Sequence, residues 1–253
     1  MGSTTFTVTV YDTATGCTGT RSYTVNEISC PVITVTPAIT LMTNLVQNVF
    51  YTNSFTSSPG AVISDQNPGG LVSSNVFSGV SGTITDITVA LNITGGFNGD
   101  LYAYLLSPTG GRVVLLNRVG LNSSDLNGFG YDDAGFNITL SAAGNNIHNY
   151  QTFSYSLSSG QLTGTWAPDQ RDILPNSDPN VFDAAPNGYN LNSYFGASPN
   201  GAWTLFIADL AVNNQSTLVS WGLTVVTIPE PQTWTLLVGG LTTLWVFRRR
   251  SRS

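Results

Sequence analysis

The chain has 253 residues, 41% hydrophobic and 11% aromatic, enough to bury a core, with 9% charged residues and no lysine. That composition excludes a long helical bundle, which needs abundant Ala, Glu, Lys and Leu, and it excludes disorder driven by charge. Four of the eight arginines fall in the last six residues, so the body sets four arginines against 14 acids and offers no cationic stripe for nucleic acid.

The first segment reads as a hairpin. Residues 4–11 alternate and put Phe6, Val8 and Val10 on one face of a strand. Asp12–Gly19 is a turn, Arg21–Val25 a return strand, and Pro31–Pro37 a further extended run. Cys17 and Cys30 share this segment. A bridge between them would close a short loop and stabilise by about 3 kcal/mol; two unpaired thiols are the alternative. No other Cys and no nearby His completes a tetrahedral metal set. Gly16-Cys17-Thr18-Gly19 followed by Cys30-Pro31 resembles the closing hairpin of immunoglobulin-like repeats in large bacterial surface proteins. Three short strands cannot bury a sandwich core. Residues 1–40 are therefore expected to be part of such a repeat, with more chain upstream or a truncated start. Met1–Thr5 carries neither the basic nor the apolar region of a signal peptide.

From about residue 46 to 227 the pattern is a series of strands. Ile87, Val89, Leu91 and Ile93 alternate with polar or small residues, and Leu101–Leu106 and Val113–Leu116 follow as two more strands. Phe136, Ile138 and Leu140 form a further set, as do Trp203, Leu205 and Ile207, and Trp221, Leu223 and Val225. Gly- and Asn-rich turns between them predict an all-β, antiparallel jelly-roll sandwich. Asp169–Asn192, rich in Pro, Asn and Asp, reads as a long surface loop.

Several blocks carry a resemblance. Ile87–Ile93 leads to Gly99-Asp100-Leu101, then to Leu105-Leu106-Ser107-Pro108-Thr109-Gly110 and Tyr131-Asp132-Asp133-Ala134. Phe195-Gly196, Asn200-Gly201-Ala202-Trp203-Thr204-Leu205, Asp209 and Leu218-Val219-Ser220-Trp221-Gly222-Leu223 follow in order. Together they resemble the P domain, or P/Homo B domain, that follows the catalytic domain of kexin-like and subtilisin-like proteases. Members often carry a His shortly before Gly-Asp-Leu, where this chain has Ile93-Thr94-Gly95-Gly96-Phe97. The resemblance implies a non-catalytic domain that helps a protease domain fold, and calcium at strand-end loops in some members.

Chemistry has few places to sit. A serine protease needs nucleophile, base and orienting carboxylate together, and the chain has one His, His148, with no subtilisin-like nucleophile turn. An exposed or hydrogen-bonded loop His is the expectation, and the chain is read as no enzyme. Calcium wants carboxylates beside turn carbonyls, and Asp100, Asp132, Asp133 and Asp209 lie at strand ends on the matched blocks. Turn capping competes for each of them, and Asp132 and Asp133 cannot both face inward. Tyr102, Tyr104, Tyr189, Tyr194 and Trp166 are candidates for a sugar-stacking surface or, equally, for packing at a sheet edge; Trp203 and Trp221 are assigned to the core.

Residues 228–253 change character. Pro229-Glu230-Pro231 breaks any regular element, 233–247 is uncharged and apolar, and Arg248-Arg249-Arg250-Ser251-Arg252 closes the chain. A helix of that span reaches about 22 Å, short of a hydrocarbon core, with its arginine end held in the cytoplasm. This tail resembles the PEP-CTERM sorting signal of Gram-negative bacteria. The resemblance implies an exosortase-type enzyme as partner, transient or permanent membrane anchoring, and export to the envelope or its extracellular polysaccharide. An oxidising destination favours the Cys17–Cys30 bridge over free thiols. The expected protein is an exported P-domain module. An accessory domain of a serine endopeptidase catalysed elsewhere and a polysaccharide-binding module are the alternatives.

Overall fold

The computed structural model describes residues 3–11, 15–26, 50–125 and 127–229. The chain divides into two compact units, residues 1–47 and 48–253. In the first, β1 (Ser3–Tyr11) pairs antiparallel with β2 (Thr18–Asn26), Ser3 opposite Asn26 and Tyr11 opposite Thr18. The return strand thus begins three residues before the expected Arg21. Val8 and Val10 are exposed, as they must be on a two-stranded ribbon with nothing in this pair to cover its face. Cys17 is exposed; its expected partner Cys30 lies outside the described residues, as do the extended run 31–37 and the apolar tail 233–247. No helix among the described residues is long and apolar enough to cross a membrane.

The second unit is a β-sandwich. Its strands are β3 (Tyr51–Ser57), β4 (Ala61–Ile63), β5 (Leu71–Phe77), β6 (Thr83–Gly95), β7 (Leu101–Leu106) and β8 (Arg112–Asn117). β9 (Gly135–Ser141), β10 (Leu157–Ser158), β11 (Gln161–Trp166), β12 (Gly201–Asp209) and β13 (Ser216–Ile228) follow. One sheet runs β10-β11-β9-β6-β13-β3, with β4 also on β13; the other runs β5-β12-β7-β8. One apolar core joins them. Every second residue of β6 from Ile87 to Ile93 points inward, as do Trp203, Leu205 and Ile207 of β12 and Trp221, Leu223 and Val225 of β13, the period of a half-buried strand. The buried indoles keep their donors satisfied: Trp203 Nε1–H donates to Pro199 O at 2.8 Å and Trp221 Nε1–H to Ser73 Oγ at 2.8 Å. The all-β sandwich expected from the sequence is the fold observed.

Two features differ from expectation. β11 lies parallel to β9, whereas an antiparallel sandwich was expected throughout. A parallel neighbour needs a long crossover, and residues 142–160 supply it, with a 3-10 segment at Ile147–Thr152 and the short strand β10. The stretch 169–192 is no bare loop either. It holds the helix α1 (Pro179–Ala184), capped by Asp178 Oδ1, which accepts from Asn180 N–H at 2.9 Å, and it buries Phe182.

Candidate functional site

Asp100 closes a 3-10 turn, Asn98–Asp100, that feeds β7, and Asp209 ends the neighbouring β12. Leu101 pairs with Asp209, and Leu210 N–H donates to Asp100 O at 2.9 Å. The two carboxylates therefore stand at the same edge of the sandwich. The turn has little freedom. A Cβ on Gly99 would meet Phe129 O at 2.0 Å, because the 128–133 loop lies directly on it, with Gly99 N–H donating to Tyr131 O at 2.8 Å. Only Gly tolerates that approach, which gives a physical reason for the Gly-Asp-Leu block.

Both carboxylates are fully buried, and Asp100 Oδ1 and Oδ2 and Asp209 Oδ2 accept no hydrogen bond. Asp209 Oδ1 accepts a long one, 3.4 Å, from Ala211 N–H. Burial pushes Asp100 up to about 6, against the pull of Arg118. Burial, and then the charge of Asp100, push Asp209 up to about 7. Arg118 faces the pair without bonding to it: its Nε–H donates to Gly99 O at 3.1 Å and its Nη2–H to Gly128 O at 3.1 Å. Burial holds the guanidinium below its ordinary range, while Asp100, Asp125 and Asp209 act the other way.

A third carboxylate joins from a distant part of the chain. Asp65, exposed in the loop between β4 and β5, raises both Asp100 and Asp209 by its charge. Its loop is fastened by Asn67 N–H to Asp209 O at 2.8 Å and by Asn213 N–H to Asp65 Oδ2 at 3.0 Å. The sequence reading missed Asp65, since it falls before the matched blocks and meets the others only through long-range pairing.

Asp132 and Asp133 are placed differently. Asp132 is exposed and lines, with Asp100, Phe97, Phe129 and Gln151, a cavity of about 450 Å³. Asp133 turns away into a hydrogen-bond network, accepting from Tyr150 Oη–H at 2.6 Å and Gln151 Nε2–H at 2.9 Å. Burial, and then Asp133, push the Tyr150 phenol well above its ordinary range. Among the described residues no three carboxylate, imidazole or thiolate groups converge tightly enough to enclose a metal unaided.

His148 is buried and held on both sides. Its Nδ1 lies 2.7 Å from Asp169 Oδ2, its Nε2 3.0 Å from Leu121 O, and its ring stacks on Phe182. A carboxylate on one ring nitrogen is half of a protease constellation, but the other nitrogen faces a backbone carbonyl where a nucleophile would be needed. Asp169 also accepts from Asn117 N–H at 3.1 Å and from Arg171 Nη1–H at 3.0 Å. The cluster ties β8, the 3-10 segment and the 169–192 stretch together.

The aromatic candidates separate by burial. Trp166 and Tyr194 belong to the core, so of the two roles open to them, stacking and packing, they take packing; Tyr194 Oη–H donates to Leu105 O at 2.9 Å. Tyr102 is buried too, Tyr104 half-buried and Tyr189 exposed.

Two packed sheets, with an Asp closing the turn before one inner strand and another ending its neighbour, define an all-β sandwich domain. The sequence profile of the proprotein convertase P-domain matches residues 84–225, more than half of the chain, and the chain belongs to that family. Among solved structures, the serine protease of Aeromonas sobria in complex with its chaperone is 16% identical, with 72% of this chain and 28% of that chain covered and a TM-score of 0.41. The serine protease of Aeromonas sobria on its own is 15% identical, with 71% and 27% covered and a TM-score of 0.38. This chain thus spans under a third of those proteases. No curated protein matches.

Proposed function

We propose that this chain is a non-catalytic, exported P-domain module stabilised by a calcium ion at the Asp100–Asp209 edge. One observation carries the metal: three carboxylate oxygens of this edge are buried without a hydrogen bond. Such a group costs about 1–3 kcal/mol or more when left unpaired; a proton relieves that cost at lower pH, and a hard cation would relieve it with both groups charged. Asp100 and Asp209 would hold the ion directly. Asp65 acts on both by its charge and Asp132 lines the same cavity as Asp100, while turn carbonyls and water would complete a shell of roughly six to eight oxygens. The ion supplies charge neutralisation and a cross-link between strand ends. Asp133, engaged with Tyr150 and Gln151, stays outside this set.

Export is supported by the aspartate-rich, lysine-free composition and by the tail. Pro229-Glu230-Pro231, the apolar stretch and Arg248-Arg249-Arg250 have the order an exosortase-type enzyme would process, so the mature protein would lose its arginines. Membership of the proprotein convertase P-domain family supports a second reading, in which the module assists the folding of a serine endopeptidase domain.

The calcium reading is tested by thermal unfolding at about pH 7.5. Millimolar calcium is expected to raise the midpoint over chelator by several degrees, as mass action requires of a ligand of the native state, and Asp209→Asn is expected to remove the rise. Equal midpoints in calcium and chelator would contradict it.

A further inference from the structure

The other end of β7 carries a site that the calcium reading does not use. Asp100 precedes the strand and the Ser107–Gly111 turn follows it, about 20 Å away at strand rise. Beside that turn lies a cavity of about 390 Å³ whose wall includes Thr109, Arg112, Asp172, Tyr189, Ser193 and Tyr194. Its volume is within the range of small-ligand pockets, about 300–1,000 Å³.

The polar groups are of a particular kind. Arg112 and Asp172 form an ion pair, each side chain about half exposed at 44% and 45%. The pair is neutral as a unit yet presents a fork of N–H donors beside a carboxylate acceptor. Arg112 is fixed from below, its guanidinium lying 5.7 Å from the centre of the Tyr104 ring. Tyr104 is in turn stacked on Phe206, 4.8 Å apart with 14° between the planes. The turn is ordered by its own bonds: Gly111 N–H donates to Ser107 Oγ at 3.0 Å and Ser107 N–H to Gly111 O at 2.9 Å. Tyr189, 69% exposed, offers an uncovered ring at the rim.

A sugar ring has an apolar C–H face and, in its plane, pairs of neighbouring hydroxyls that each donate and accept. An uncovered phenol ring matches the face, and a rigid donor–acceptor fork flanked by two more hydroxyls matches the rim. From the cavity the outer face of the β5-β12-β7-β8 sheet continues past Tyr104 and Phe206 to Val72 and Val76, 61% and 59% exposed. That apolar track suits a ligand of several linked units. A chain of pI about 4.4 repels polyanions. We propose that the cavity at Arg112, Asp172 and Tyr189 binds a neutral polysaccharide, with the aromatic face of the sheet as its extension.

The test uses the full chain, titrated in chelator with cellohexaose, maltohexaose, mannohexaose and xylohexaose, each to about 10 mM, enough to reveal a millimolar site. Amide chemical shifts are the readout. At least one sugar is expected to move Gly110, Gly111 and Arg112 saturably. Tyr189→Ala and Arg112→Ala should each weaken that binding about tenfold, roughly 1.4 kcal/mol, with the thermal midpoint unchanged. Because no calcium is present, failure of the metal reading leaves this result intact. Silence with all four sugars overturns the proposal, as do shifts that Tyr189→Ala leaves in place. Concentration-dependent self-association abolished by Val72→Asp, without sugar binding, would give the face to a second copy of the chain and equally overturn it.

Discussion

Two places in the sandwich bury aspartate, and they do so in opposite ways. Asp169 is wrapped by His148, Arg171 and the Asn117 amide, so each of its oxygens accepts from the protein. Asp100 and Asp209, equally inaccessible, leave three oxygens with nothing. A buried carboxylate with a full set of donors is architecture, because its desolvation is offset by fixed partners. One without donors is held at a cost, and the fold keeps it only where something outside the chain, or a proton, completes it. The difference separates a strut from the proposed metal site within one domain.

The largest effect should come from damaging the strut. Asp169→Ala removes the counter-charge of Arg171 and the partner of His148 Nδ1, leaving buried polar groups unpaired. It is expected to destabilise by about 3–5 kcal/mol in urea unfolding, with or without calcium. If Asp169→Ala instead gained stability in chelator, the contrast between the two regions would fail.

The opposite sign is expected at the other edge. Asp209→Asn in chelator at about pH 7.5 removes an unpaired buried charge. It should stabilise by about 1–3 kcal/mol, while losing the response to calcium. A variant less stable than the parent in chelator would mean that Asp209 already has an adequate partner.

The most graded effect is in pH, spread over a range rather than set by one substitution. Asp100 and Asp209 titrate near 6 and 7 in the native state, above the ordinary carboxylate value of 3.8. Between these values the native state binds more protons than the unfolded chain, so stability falls as pH rises from about 4 to about 7. Calcium, by favouring the charged forms, should flatten that fall. Denaturant midpoints measured across this range in chelator and in calcium check both slopes.

Much of this was legible beforehand because strands announce themselves by alternation. Ile87–Ile93, Trp203–Ile207 and Trp221–Val225 place their apolar residues at every second position, and each faces the core. Asp100 and Asp209 were legible because strand ends and matched blocks coincide there. Asp65 was not, since its role depends on Asn67 reaching the Asp209 carbonyl across some 140 residues of chain. Asp169 was hidden by its company: a stretch rich in Pro, Asn and Asp reads as solvent-facing until His148 and Arg171 are seen to close around it. The parallel pairing of β11 with β9 was equally unreadable. Periodicity tells which face of a strand is buried but carries nothing about the direction of its neighbour.

The most direct measurement is calorimetric titration of calcium into the chelator-stripped chain at about pH 7.5, beside Asp100→Asn and Asp133→Asn. One saturable site in the parent, lost with Asp100 and kept with Asp133, is the predicted result. No binding heat in the parent, or a site that survives Asp100→Asn, would contradict the assignment of the orphaned carboxylates to a metal.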